Sequence, residues 1–196
     1  VISAWSGVRP LIGKGDQTGK PSDISRAHRI RMTQPGWFDV AGGKLTTYRA
    51  MATDTVDEVE AALGRRHRPS PTANLALRGA RAGGAGHLAG RYGTEARVIE
   101  AMTAADPSLA EPLVPTLPYL RAEGVYAARY EMARTVDDVL SRRTRSLILD
   151  RDASTAAAPD VADLLAGELG WTHEEAVAQV DAYRAGAEAE RLAAAT

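Results

Sequence analysis

"WFDVAGGKLTTYRAMATDTVDEV", residues 37–59, changes its hydrophobic period halfway along. Residues 37–41 read as a short strand. After Gly42 and Gly43, the residues Leu45, Tyr48, Ala52, Thr55 or Val56, Val59 and Leu63 recur at three- and four-residue spacing, which predicts a helix with one buried face. The helix carries its charges in an unfavourable order. Lys44 and Arg49 come first and Asp54, Asp57, Glu58 and Glu60 come last, opposite to what the helix dipole favours. An anionic group docked at the first turn would remove that cost.

The flanks extend the strand-then-helix reading. Residues 1–12 are rich in β-branched and aromatic types and predict a strand ending at "RPLI"; "GKGDQTGKPSD" is loop. "ISRAHRIRM" alternates, which puts Ile24, Arg26, His28, Ile30 and Met32 on one face, before "QPG" turns the chain. Residues 64–74, "GRRHRPSPTAN", have the Pro, Ser and Arg content of a linker. Beyond them the chain is rich in Ala, Leu, Arg and Glu with helical periodicity. The expected fold class is α+β: strands plus one helix over 1–63, a linker over 64–74, and an all-helical domain over 75–196. Within that domain, Thr135 with Asp138 and Thr172 with Glu175 have the spacing of capping boxes, and a helix is expected from about Pro159, at N1, to Gly170.

Bulk properties narrow the function. The 24 basic and 25 acidic side chains leave a net charge of -1, so nothing global points to nucleic acid. The charge is uneven, however: residues 1–50 hold 8 Lys or Arg against 3 Asp, and residues 151–196 hold 3 Arg against 9 acids. The absence of cysteine excludes disulfides, Cys-ligated zinc and thiol catalysis, and fits a reducing cytoplasm. No apolar run approaches the roughly 18 residues of a membrane span. The chain starts at Val1 without a signal-peptide pattern, as if cut from something longer.

Most motif candidates are set aside on chemistry. "GGKLTT" lacks the Gly and the Ser or Thr that a triphosphate loop requires, since Phe38 and Leu45 stand in those places. The glycines of "GKGDQTG" and "GAGHLAG" do not sit between a strand and its crossover helix, so loop and helix entry explain them better. His67, His87 and His173 are expected to be solvated, and no spacing of His and acids suits a metal. The "LSRRTR" run, residues 140–145, reads as salt-bridged helix surface because Asp137, Asp138 and Asp150 lie nearby. For Arg26 and His28, a structural ion pair and a ligand site explain the strand equally well. Lys44 has two readings: a lysine paired with Asp39 in water, or part of an anion site on which Arg9 and Arg26 converge.

"SGVRPL", "ISRAHRI" and "GGKLTTYRAMA", in that order and spacing, resemble the C-terminal part of FAD-dependent, quinone-linked glycerol-3-phosphate dehydrogenase. "RAEGVYAARYEMARTVDDVLSRRTRSLILD", residues 121–150, is similar to that family's C-terminal helical domain. The resemblance implies a flavoenzyme that oxidises sn-glycerol 3-phosphate to dihydroxyacetone phosphate by hydride transfer to FAD, with electrons passed to a quinone. It implies that Arg9, Arg26 and Lys44 lie around flavin and substrate, with Gly42, Gly43, Lys44, Leu45 and Thr46 facing the flavin carbonyl; His28 is a candidate only for a place behind them. No catalytic residue is assigned within the chain, because the general base and the GxGxxG segment belong to an N-terminal half outside it. The 196 residues alone are therefore expected neither to hold FAD tightly nor to turn over. A cytoplasmic protein, peripheral on the membrane face, with a possible homodimer, completes the expectation. An oxygen-using glycerol-3-phosphate oxidase and a non-catalytic helical interaction module are the alternatives.

Overall fold

The computed structural model describes residues 27–80 and 84–195, which form two compact units, 27–76 and 77–195. The architecture is α+β, a small hairpin with one helix followed by an all-helical unit. Arg9, Arg26 and the expected first strand lie outside the described residues.

In the first unit, β1 (His28–Gln34) and β2 (Trp37–Gly42) pair antiparallel, with His28 opposite Gly42, Ile30 opposite Val40 and Met32 opposite Phe38. Pro35 and Gly36 make the turn. Proline presets a negative φ at the first position, and Gly36 supplies the φ of 78° at the second, the pairing a type II turn needs. The register slips between Met32 and Gln34, next to that turn.

The helix after β2 starts later than its periodicity predicts. Lys44 is extended (φ -137°, ψ 152°), Leu45–Thr47 form a 3-10 turn, and α1 runs over Tyr48–Ala62. The cause is local: Thr47 donates its amide to the Lys44 carbonyl at 3.0 Å, and its hydroxyl accepts from the Lys44 amide at 3.2 Å. The expected buried face is also corrected. No residue of α1 is buried, and Leu45, Tyr48, Val56 and Leu63 are exposed, Leu45 at 89%. Among the described residues the hairpin meets α1 at Met51 and Asp54, and of the apolar stripe Val59 is half-buried while the other large residues stay exposed. The unfavourable charge order stands, with no acid in the first turn and no base in the last. Bases from the following segment offset it: His67 lies 3.5 Å from Asp57 and Arg68 lies 3.6 Å from Glu60.

The second unit is a helical assembly of α2 (His87–Tyr92), α3 (Ala96–Ala105), α4 (Arg121–Tyr130), α5 (Ser146–Leu149), α6 (Arg151–Leu169) and α7 (His173–Ala195). Its core is made by Val114, Val136, Val139, Leu140, Val161 and Leu165, and α6 packs against α4, α5 and α7. Residues 122–128 of α4 are all buried, so α4 is enclosed on every side. Gly124 makes that possible, since a Cβ there would stand 3.0 Å from Leu164 Cδ2.

The two capping boxes form as the spacing predicts. Asp138 donates its amide to Thr135 Oγ1 at 2.9 Å and accepts from the Thr135 amide at 3.1 Å; Thr172 and Glu175 exchange the same bonds at 2.8 and 3.2 Å. After the first box, residues 138–143 wind as a π-helix, closed by the Thr144 amide on the Val139 carbonyl at 2.9 Å. Thr172→Ala removes the cap of α7 and is expected to cost about 1 kcal/mol, a drop of ~4 °C in Tm. Thermal unfolding followed by circular dichroism checks it; an unchanged midpoint would show that α7 does not depend on its box.

Pro159 is not at a helix start. Asp150 caps α6 by accepting from the Ala153 amide at 3.0 Å, and Pro159 lies inside a 19-residue helix. Proline removes one ladder bond, which a helix capped at both ends and packed on three others can bear. Gly170 ends α6 in the left-handed region (φ 72°), as expected, with the Gly170 and Trp171 amides on the Ala166 carbonyl.

Asp138 gives the unit an acid-sensitive joint. Burial opposes its ionisation, but the Arg134 amide at 2.9 Å, Thr135 and Arg142 at 3.0 Å together hold its carboxyl below the ordinary 3.8. Its contribution is thus full above that value and lost as pH falls through the lower folded-state value. The stability advantage of wild type over Asp138→Asn is expected to be constant near neutrality and to shrink below about pH 4. Urea titrations at several pH values test this, and an advantage that grows on acidification contradicts it.

Candidate functional site

The five residues expected to face a flavin are contiguous, running from the end of β2 into the 3-10 turn. Gly42 (φ 75°) and Gly43 (φ 80°) both adopt the left-handed region, where a side chain is strained. At Gly43 a Cβ would also be crowded: it would stand 2.5 Å from Met51 Sδ, which would have to move, and 3.1 Å from His28 Cβ. The Lys44 amide donates to Thr47 Oγ1, so it is not open to a ligand. The amides of Leu45 and Thr46 open the turn and have no partner within it.

Lys44 itself is exposed and makes no ion pair among the described residues. Asp39, its alternative partner, instead accepts from Trp37 Nε1 at 3.0 Å. Among the described residues the loop therefore offers one unpaired cation beside two free amides, a donor set suited to an anion or a strongly polarised carbonyl. Behind it, His28 Nε2 stands 2.8 Å from Asp54 Oδ2. Arg9 and Arg26, expected to join this set, lie outside the described residues, as do Gly13, Gly15 and Gly19.

Sequence reading missed a charged cluster in the helical unit. Glu123, with a side chain 0% exposed, accepts from the Leu120 amide at 2.7 Å and from Tyr92 Oη at 3.0 Å, with His87 Nε2 at 3.1 Å and Arg91 Nε at 3.6 Å. His87, expected in solvent, is therefore a partner of a buried carboxylate, with its ring edge-on to Tyr119 at 5.4 Å. Burial, reinforced by Glu123, pushes the Tyr92 phenol well above its usual range, so it donates throughout neutral pH. Arg91 is held in its charged form: burial works against it, but Tyr92, Tyr119 and Glu123 outweigh that. Nearby, Arg78 Nε stands 2.6 Å from Glu95, which also meets Tyr126 Oη at 3.4 Å.

The remaining candidates resolve as structure. Within "LSRRTR", Arg142 pairs with Asp137 and Asp138, and Arg143 pairs with Glu131 at 3.4 Å. His173 is exposed, as expected, and His67 is mostly so. Gly84 and Gly86 precede the short helix α2, and among the described residues no strand leads directly into it. Among the described residues, no group of three or more His, Cys, Asp or Glu could hold a metal, and no helix is long and apolar enough to cross a membrane.

Comparison with known proteins gives one family. A profile described as the C-terminal domain of alpha-glycerophosphate oxidase matches residues 40–176. The chain is similar to glycerol-3-phosphate dehydrogenase 2 of Mycobacterium tuberculosis, with 36% identity over 212 residues, 98% of this chain and 36% of that protein. It is also 32% identical to mitochondrial glycerol-3-phosphate dehydrogenase of Homo sapiens and 36% identical to a probable mitochondrial one of Caenorhabditis elegans, in each case over 94% of this chain and 28% of the relative. The chain thus spans about a third of the length of the curated relatives it matches. No solved structure matches it.

Proposed function

The chain belongs to the family of the C-terminal domain of alpha-glycerophosphate oxidase and of the glycerol-3-phosphate dehydrogenases, and on that premise we propose that the complete polypeptide oxidises sn-glycerol 3-phosphate to dihydroxyacetone phosphate with FAD as cofactor and a quinone as electron acceptor. Bound FAD would supply the two-electron acceptor for the hydride leaving C2. The observation that carries the reading is Lys44, unpaired among the described residues, beside the Leu45 and Thr46 amides, which have no partner among them, at a loop held out by two left-handed glycines. Negative charge at the pyrimidine end of a flavin suits that set, and the glycines allow a planar ring to approach the backbone closely.

Lys44 stabilises that charge and, with Arg9 and Arg26, binds the substrate phosphate dianion. The adenine cradle and the base that takes the C2 hydroxyl proton are assigned to the part of the polypeptide outside these residues. A quinone acceptor is dissolved in the membrane, so the same reading carries a peripheral position on the cytoplasmic face. The helical unit, with its own core, is assigned to association with a second copy or to capping the site.

A second reading, an oxidase passing electrons to oxygen, is favoured by the family's own description. One experiment serves both. The complete polypeptide is expected to purify with flavin absorbance and to reduce an artificial dye only when glycerol 3-phosphate is added, while the 196 residues alone do neither. Peroxide formation in air at the rate of substrate loss selects the oxidase. A complete polypeptide that binds no flavin and reduces no dye rules out the assignment.

A further inference from the structure

The hairpin and α1 close a ring around the Lys44 loop. His28, the first residue of β1, is the register partner of Gly42, the last residue of β2. Its imidazole leaves the hairpin and reaches Asp54, on the second turn of α1, at 2.8 Å. One side chain thus ties the residue where the loop departs to the helix where it arrives. Between these anchors, Gly43 lies so close to Met51 and to His28 that even a Cβ would collide. The loop from Gly43 to Thr47 is held at both ends by His28 and Asp54 and supported from behind by Met51.

A purely structural ion pair would not need this location. His28 has a side chain 21% exposed, and Asp54 is more than half exposed, so the pair adds little to overall folding. What it does fix is the separation between the end of β2 and α1, and therefore where Lys44 and the Leu45 and Thr46 amides stand. Electrostatic stabilisation depends on such preorganisation, because donors that must rearrange lose most of their value.

We propose that His28 and Asp54 are positioning residues for the Lys44 loop, with the Met51 thioether as the prop beneath Gly43. The proposal rests on the loop's assignment to the flavin and substrate, and adds that Asp54, which lies outside the loop and bonds His28, governs how well Lys44 serves them. Asp54→Ala opens the ring, while Asp54→Asn keeps an acceptor for the imidazole and closes it again.

Two measurements on the complete flavin-loaded polypeptide test this. Sulfite, an anion that adds to the flavin, reports positive charge near the pyrimidine end; trypsin cleavage after Lys44, followed by mass spectrometry, reports opening of the loop. Asp54→Ala is expected to weaken sulfite binding about tenfold, within the ~100-fold that a 1 Å misplacement can cost, with flavin content and Tm unchanged. Cleavage after Lys44 is expected to quicken, and Asp54→Asn to restore both readings. If Asp54→Ala matches wild type in both readings while Lys44→Met weakens sulfite binding, the positioning role is wrong and the flavin assignment survives. If Asp54→Ala quickens cleavage but neither it nor Lys44→Met alters sulfite binding, the ring exists as described and the assignment of the loop to the flavin is what fails, taking the positioning role with it.

Discussion

Lys44→Met in the complete, flavin-loaded polypeptide is expected to lower kcat/KM for sn-glycerol 3-phosphate by about 10²- to 10³-fold, the usual cost of removing one donor aimed at developing charge. Lys44 is exposed, unpaired among the described residues and outside the core, so its loss should leave Tm unchanged. It precedes a turn whose neighbouring amides stay in place, so the residual rate reports what the site retains without the Lys44 cation, the Leu45 and Thr46 amides and the two expected arginines, Arg9 and Arg26, included. If kcat falls together with kcat/KM, the cation acts chiefly in the transition state; a rise in KM with kcat unchanged would give it a role in holding the phosphate. A variant indistinguishable from wild type in both constants removes Lys44 from the site.

Glu123→Leu is expected to destabilise the helical unit by about 3–5 kcal/mol, the range for breaking a buried charge pair by deleting one partner. The carboxylate is the common acceptor of three groups, the Leu120 amide, Tyr92 and His87, and pairs with Arg91 at 3.6 Å. Arg91 and His87 each keep about a third of their surface in water and can rehydrate. The Leu120 amide and the Tyr92 hydroxyl have less recourse, and each unsatisfied buried group costs about 1–3 kcal/mol. Glu123→Gln preserves one acceptor oxygen and should fall between. Urea unfolding of the three proteins measures this, and a loss under about 1 kcal/mol for Glu123→Leu means that the cluster is not a keystone of the unit.

Features governed by neighbours in sequence were legible. The capping boxes at Thr135 and Thr172, the stop at Gly170 and the turn at "QPG" depend on residues within four positions of one another, and the adverse charge order of α1 lies within one helix and its first turn. Features governed by distant partners were not. His87 and Glu123 lie 36 residues apart, and nothing local marks a histidine at a short helix start as the mate of a buried acid. The α1 stripe is a true helical period, but periodicity says which face is apolar and not whether the described chain covers it. Pro159 misled because a proline suits a helix start, whereas here Asp150, nine residues earlier, had already capped the helix.

Of the candidate loop, the backbone was legible. Two adjacent glycines predicted an unusual conformation before Lys44, and both adopt the left-handed region that glycine reaches easily. What sequence left out was how few amides remain free, because Thr47 claims the one belonging to Lys44.

The π-helical stretch at residues 138–143 bears on which length changes the chain tolerates. A π segment amounts to one extra residue lodged in an α ladder. Deleting a residue there would let ordinary helical hydrogen bonds re-form, so the backbone would absorb the cut. The side chains beyond the cut would largely keep their faces, because an α stretch one residue shorter sweeps nearly the same angle as the π stretch it replaces. What would be lost is the local wide turn, closed by the Thr144 amide on the Val139 carbonyl. Across homologous sequences, this segment is therefore where a single-residue difference in length is expected to be tolerated.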